Sequence, residues 1–283
     1  MTSHPFDAAL VLTPDFDAAP DQFLGQTSPA WWNMVGPFGG ITAAMALNAV
    51  MMHPARLGDP VALTVNYSNG LLPGAFKLVA TPVRTNRSTQ HWVLSLRQTD
   101  AHGVDIVALT GTAITALRRD TWSASDMPCP AVPRPETLIR LAPPQSGLTW
   151  FSRYDMRSIV GPLPTKWDAS AASADPQQAS LSQLWLRDEP ARPLDFSSLV
   201  AMADGFFPRV WLRRALLVPA GTVSLTVYFH AGPEQLAETG TGFLLAQARG
   251  QGYCNGFFDQ AGQLWNEHGT LLATTHQLVY YKE

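Results

Sequence analysis

The chain has 283 residues, 46% of them hydrophobic and 14% charged, with a formal net charge of −3. Without a basic excess it is not a nucleic-acid binder, and the low charged fraction calls for extensive buried surface, in a core or between subunits of a homo-oligomer. Two distant cysteines, Cys129 and Cys254, give neither a disulfide framework nor a zinc spacing and fit a reducing cytoplasm.

The length suits two smaller domains. Residues 1–17 lack a basic segment followed by an apolar run, and no uncharged apolar stretch reaches roughly 18 residues, so neither a signal peptide nor a membrane span is expected. Residues 23–32 contain Pro29 and the pair Trp31 and Trp32, which read as irregular structure packing aromatics over a core.

Gly39 and Gly40 then open a helix over residues 41–52, in which Thr42 and Asn48 are the polar positions. A helix apolar nearly all round must be enclosed. Pro54 ends it. Two readings of the glycines are open. They allow tight packing of a buried helix, or they let free backbone N–H groups meet an anion or a polarised carbonyl. Strands are expected over residues 61–67, 76–84, 91–98 and 104–115, with a turn at Asp100–Gly103. One helix followed by an antiparallel meander is an α+β pattern.

Prolines recur from residue 118 to 144 and mark a stiff linker laid across the surface. Strand character returns over residues 149–159 and 181–187, around a loop at 169–178. The expected division is a first domain over 1–118, a linker over 119–147 and a second domain over 148–283.

The second half repeats the first. Leu63-Thr64-Val65 matches Leu225-Thr226-Val227 at an offset of 162 (225 − 63), and His102-Gly103 matches His268-Gly269 at an offset of 166 (268 − 102). An apolar helix at 196–203 precedes the second Leu-Thr-Val as the helix at 41–52 precedes the first. Such a duplicated unit would join its two sheets edge to edge and bury both helices.

This duplicated, sheet-wrapped helix resembles the double hotdog fold, and the motifs resemble the acyl-CoA thioesterase II family. The resembling segments are Pro37-Phe38-Gly39-Gly40, Ala203-Asp204-Gly205-Phe206-Phe207-Pro208, the strand from Thr222 to Tyr228-Phe229-His230, and Gly269-Thr270-Leu271-Leu272-Ala273-Thr274-Thr275-His276-Gln277. The resemblance runs from about residue 20 to the end. It implies hydrolysis of an acyl-CoA substrate, without cofactor or metal, by a water that Asp204, Thr222 and Gln277 activate. Ser224-Leu225 stand where the family commonly shows Asp-His, and the loop from Asp204 to Pro208 is one residue shorter than the family's. Thr226, two strand periods from Thr222, is the fallback hydroxyl.

Read for their own chemistry, Asp204 ends an apolar helix, where burial would raise its pKa and donors from Thr222 and Gln277 would lower it. A carboxylate so held can take a proton from water; read alone, it is also an ordinary capping aspartate. Gln277 shares a strand face with Ala273, Thr275 and Val279 and needs partners if buried. The N–H groups of Gly39 and Gly40 could stabilise a thioester oxyanion. At an offset of 166 the counterpart of Gln277 is Gly111 (277 − 166), which carries no amide. Arg84, Arg87, Arg209, Arg213 and Arg214 could rim a phosphate-bearing ligand, and Trp31, Trp32, Phe206, Phe207 and Trp211 could line an acyl channel. A non-catalytic acyl-CoA binder on the same fold is the rival reading, and a hydratase would need a His–Asp pair that the helix region lacks. Nucleophile-elbow, zincin, Cys-x-x-Cys and Walker motifs are absent.

Overall fold

A computed structural model describes residues 3–100, 102–143, 147–170, 175 and 179–283. Parts of the expected turn at 100–103, the linker at 119–147 and the loop at 169–178 lie outside the described residues. The chain opens with α1 (Pro5–Ala9), β1 (Leu12–Pro14) and β2 (Gln22–Gln26), then α2 (Gly39–Met52) and the meander β3 (Asp59–Tyr67), β4 (Ala75–Thr85), β5 (Thr89–Thr99) and β6 (Asp105–Ala116). After the proline-rich segment come β7 (Tyr154–Val160), β8 (Ser182–Asp188), α3 (Phe196–Ala203), α4 (Arg209–Arg214) and β9 (Ala220–Phe229). The chain finishes with α5 (Pro233–Thr239), β10 (Leu244–Arg249), β11 (Tyr253–Cys254), β12 (Phe257–Asn266) and β13 (Leu271–Tyr281).

Among the described residues the strands form one antiparallel sheet in the order β1-β2-β4-β5-β6-β3-β9-β13-β12-β10-β8-β7, with β11 paired to β12. Read from its two ends, the order is the same plan twice, meeting at β3 and β9. The central helices α2 and α3 pack against each other in the hollow of the sheet, in one core that both halves share. α2 is buried along most of its length. Its polar side chains are satisfied locally: the Thr42 hydroxyl donates to the Phe38 carbonyl, and the Asn48 amide donates to the Leu10 carbonyl at 2.8 Å. The two helices approach so closely that a Cβ on Gly40 would stand 2.5 Å from the Ala201 carbonyl oxygen.

The matched Leu-Thr-Val segments form the seam itself. Leu63 pairs with Val227, Thr64 with Thr226 and Val65 with Leu225, and the two threonine hydroxyls lie 3.0 Å apart. A local two-fold relation therefore passes between Thr64 and Thr226. The irregularities obey it. The bulge at Pro60/Ala62 against Thr115/Ile114 answers the one at Thr222/Ser224 against Val279/Leu278, and the shift at Leu96/Arg97 answers that at Leu264/Trp265. In this register Gln277, opposite Leu225, corresponds to Ala113, opposite Leu63; Thr222 corresponds to Pro60. This corrects the counterpart read from the offset of 166, which pointed to Gly111. Leu96 pairs with Leu109 across 13 positions (109 − 96), Leu264 with Ala273 across 9 (273 − 264), so the second hairpin is four residues shorter and one offset cannot serve both its strands.

Three further expectations are corrected. Residues 23–32 are not wholly irregular, because Phe23 faces the core and Gln22–Gln26 adds to β4. The strand expected over 149–159 begins at Tyr154; before it Thr149–Arg153 turns in a 3-10 helix that directs Trp150 onto Phe38 (centroids 4.3 Å apart, planes 7° apart) and Phe151 onto Phe207. Helices α1, α4 and α5 were not expected. The proline-rich segment runs over the outer side of β8, β10 and β12, where Cys129, Val132 and Leu138 cover Trp185 and Trp265, and Trp185 donates to the Pro133 carbonyl at 2.8 Å.

Candidate active site

Asp204 caps the C-terminus of α3, and its backbone N–H closes the last turn on Ala201. An anion at a helix C-terminus is unfavourable. The N-terminus of α2 offsets this by facing the same carboxylate from the other half. The fit is close: a Cβ on Gly39 would lie 2.7 Å from Asp204 Oδ2, so any other residue there would displace the carboxylate. Asp204 is 8% exposed. Burial pushes its carboxyl up to about 7, while the Gln277 side chain and the Gly40 backbone N–H pull it back down.

Gln277 sits on the inner face of β13 with Thr275 and Val279, all buried. Its Nε2 donates to Asp204 Oδ1 at 2.9 Å and reaches the Ala203 carbonyl at 3.5 Å. The Thr222 hydroxyl donates to Gln277 Oε1 at 3.4 Å. The structure thus brings Asp204, Gln277 and Thr222 into one hydrogen-bonded chain, with Gly39 and Gly40 against the acid.

Thr226 stands elsewhere. The bulge leaves Val223 as an extra residue, so Thr222 pairs with inward-facing Val279 while Thr226 pairs with exposed His276 and bonds Thr64 on the outer face. The period-two argument that put both threonines on one face fails at that bulge.

The chain of polar groups opens into a cavity of about 740 Å³, within the range usual for small-molecule sites. Phe206, Phe207, Trp211 and Phe258 wall it from the second half, Tyr67 and the segment from Asn33 to Phe38 from the first. Of the expected channel aromatics, Trp31 does not reach it: that ring is fully buried between Phe6 and Tyr154, its N–H on the Pro5 carbonyl. Trp32 is also outside the lining.

The arginines separate as well. Arg209 is fully buried and braces the short loop after Asp204: its guanidinium donates to the Phe207 carbonyl, the Ser180 carbonyl and the Ser182 hydroxyl. It rims nothing. Arg84 and Arg87 flank the β4–β5 hairpin, at the end of the first sheet away from the cavity. Arg213 and Arg214 lie on α4 next to Trp211 and border a shallow depression with Tyr253 and Tyr281.

Two site residues were missed. The Tyr67 hydroxyl donates to the Gly39 carbonyl at 2.8 Å and fixes the start of α2. Burial, then the Asp204 charge, hold this phenol well above its ordinary range, so it remains a donor. Gln260 pairs with Gln277 across β12 and β13 and lines the cavity. Its alternation with Phe258, Gly262 and Leu264 was a readable signal: an amide on an apolar face. Among the described residues no group of three or more His, Cys, Asp or Glu could hold a metal ion, and no helix is long and apolar enough to cross a membrane.

Comparison with known proteins bears on this geometry. A family profile for the acyl-CoA thioesterase N-terminal domain matches residues 28–116, and one for the C-terminal domain of the same enzymes matches residues 128–281. A conserved protein of unknown function with a hot dog fold from Alicyclobacillus acidocaldarius is 44% identical, with 100% of this chain and 99% of that chain covered and a TM-score of 0.89. A putative thioesterase II from Thermobifida fusca is 19% identical over 100% of this chain and 99% of its own, with a TM-score of 0.77. An acyl-CoA thioesterase II from Mycobacterium marinum is 18% identical over 98% of each chain, with a TM-score of 0.71. At those lower identities the likeness is one of fold. No curated protein matches the chain. With both halves matched, in order and over most of the length, the chain belongs to the acyl-CoA thioesterase family and has its double hotdog fold.

Proposed function

We propose that the protein hydrolyses acyl-CoA thioesters to free acid and CoA by direct attack of water, with Asp204 as general base, Gln277 as the group that orients it and Thr222 as the hydroxyl that positions the water. The observation that carries this reading is the buried Asp204 carboxyl, bonded to Gln277 at 2.9 Å and opening on a cavity that both halves line, where burial pushes its pKa up to about 7. A base poised near the working pH is half-ready to accept a proton and still basic enough to be useful.

Water adds to the thioester carbonyl carbon and gives a proton to Asp204. The tetrahedral intermediate collapses by breaking the C–S bond, and the CoA thiolate takes that proton back. The charge on the thioester oxygen falls to the N-terminus of α2. The Gly40 N–H faces the carboxylate, whereas the Gly39 N–H, at the first helical position, has no intrahelical acceptor and serves the oxygen. In this reading Arg213 and Arg214, on α4 beside the cavity residue Trp211, are the candidate cations for CoA phosphates, Arg214 being paired with Glu283 in the free protein. The domain division 1–118, 119–147 and 148–283 is part of the same reading, with the site between the outer two.

Thiol release measured across short, long and aromatic acyl-CoAs tests the proposal. Release by the wild type, lost in Asp204→Asn, supports it; calorimetric binding of acyl-CoA with no release points to a binding protein instead.

A further inference from the structure

Gln260 is 2% exposed, lines the cavity, and its Nε2 atom has no hydrogen-bond partner in the structure. Buried amides are normally satisfied, because an unpaired one has lost water without replacement. Neither the mechanism above nor the core needs an amide here. Its neighbours along the inner face of β12 are Phe258 and Gly262, and its cross-strand partner Gln277 is already committed to Asp204. The residue at the two-fold related position of the first half is Trp92, opposite Ala113, whose indole N–H donates to the Thr115 hydroxyl at 3.2 Å; the place of Thr115 is taken by Val279 in the second half, which offers Gln260 no acceptor. The polar group of the first half has a partner inside the fold, whereas the Gln260 amide nitrogen has none and lies on the cavity wall, where a ligand can supply one.

We propose that Gln260 is a specificity residue that hydrogen-bonds a hydroxyl on the acyl group, so that the substrates are hydroxyacyl thioesters. Position sets where that hydroxyl sits. Gln260 lies one strand beyond Gln277, and cross-strand neighbours are about 5 Å apart. The acyl chain, with its carbonyl carbon at Asp204, passes Gln260 within its first few carbons. A hydroxyl serves either orientation of the side-chain amide, accepting from nitrogen or donating to oxygen. The surrounding wall of Phe206, Phe258, Trp211 and Val279 excludes competing water and makes that single bond decisive.

The inference rests on the acyl-thioester reading of the site, and the experiment separates the two. The probes are S-octyl-CoA and its 2-, 3- and 4-hydroxy derivatives, thioethers that cannot be hydrolysed, titrated calorimetrically into the full chain. The wild type is expected to bind one hydroxylated probe about tenfold or more tighter than S-octyl-CoA. Gln260→Leu and Gln260→Met are expected to bind S-octyl-CoA at least as well as the wild type, which also reports that they are folded, and to lose the preference. Equal wild-type affinity for all four probes, failure to bind any, or a preference that survives in folded variants overturns the assignment. Thiol release from octanoyl-CoA and its preferred hydroxy analogue reads the other question. Preferential binding without release ends the hydrolase reading and keeps Gln260; release without discrimination does the reverse.

Discussion

The Gln277 amide donates to the Asp204 carboxylate at 2.9 Å across 73 positions of sequence, from the last strand to the end of a helix. It is the bond that turns a buried acid into an oriented one. Because Thr222 bonds the oxygen of the same amide, Gln277 has its donor and its acceptor both engaged, and its orientation is fixed from two sides.

Removing the acid should separate activity from stability. Asp204→Asn is expected to lower kcat for thioester hydrolysis by about 10²–10⁴-fold. The folded-state pKa of Asp204, about 7, lies above the value near 4 of an unfolded chain, so the folded protein holds a proton that the unfolded one releases. Wild-type stability therefore falls as pH rises from about 4 to about 7 and is flat above. Asp188, pushed to about 6 by burial, adds a loss of the same sign over a narrower window. The asparagine variant escapes the larger loss and should be more stable than wild type at pH 8, by up to about 4 kcal/mol, with the gap closing near pH 4. Denaturant titrations at the two pH values check this.

The rate should follow the same ionisation. kcat/KM is expected to fall tenfold per pH unit below about 7, as Asp204 becomes protonated. Gln277→Leu removes a donor to the charged form, so the acid limb should move to higher pH and the rate at pH 7 should drop by about 1.5–3 kcal/mol of barrier. A pH–rate profile of both proteins is the measurement.

Gly39→Ala places a methyl where Asp204 Oδ2 now lies 2.7 Å away, and Tyr67 closes the other side at 3.4 Å. The carboxylate must move. A shift of this size commonly costs about 10²-fold in rate, and kcat should suffer more than KM. Steady-state kinetics with one acyl-CoA distinguish this from loss of binding.

The two threonines of β9 should behave oppositely. Thr222→Val is expected to slow hydrolysis with little change in stability. Thr226→Val breaks the hydroxyl pair with Thr64 at the seam and should cost about 0.5–1.5 kcal/mol of stability while leaving kcat unchanged. A double-mutant cycle of Thr64→Val with Thr226→Val gives the coupling directly.

Much of this was legible before the structure, for identifiable reasons. An α2 apolar but for Thr42 and Asn48, opened by glycines and ended by Pro54, has to be enclosed, and the repeated Leu-Thr-Val revealed the duplication, though not that these two strands form the seam. Asp204, Gln277 and Thr222 were chosen as candidates through motif order, and the structure brings them within hydrogen-bond reach of one another. The seam's geometry was hidden because bulges and loop-length differences leave no local signature: Val223 looks like any strand residue, yet it turns Thr222 inward and Thr226 outward. Arg209 misled because charge suggests solvent, while its partners are carbonyls and a serine brought together from distant segments. Tyr67 was missed because its importance comes from the Gly39 carbonyl that lies opposite it, whereas Gln260 was missed although its alternation with apolar neighbours could be read.

The two-fold relation through Thr64 and Thr226 gives the chain two ends where a helix start from one repeat could meet a helix end from the other. Only one carries the proposed set of acid, amide and hydroxyl. At the related end Pro60, Ala113 and Trp92 occupy the places of Thr222, Gln277 and Gln260, and the buried α2 C-cap His53, in the place of Asp204, is bonded to Asp21 at 3.0 Å, so the acid, amide and hydroxyl are not repeated there. A titration with any tight inhibitor should thus saturate at a single equivalent per polypeptide, half of what the internal symmetry would suggest.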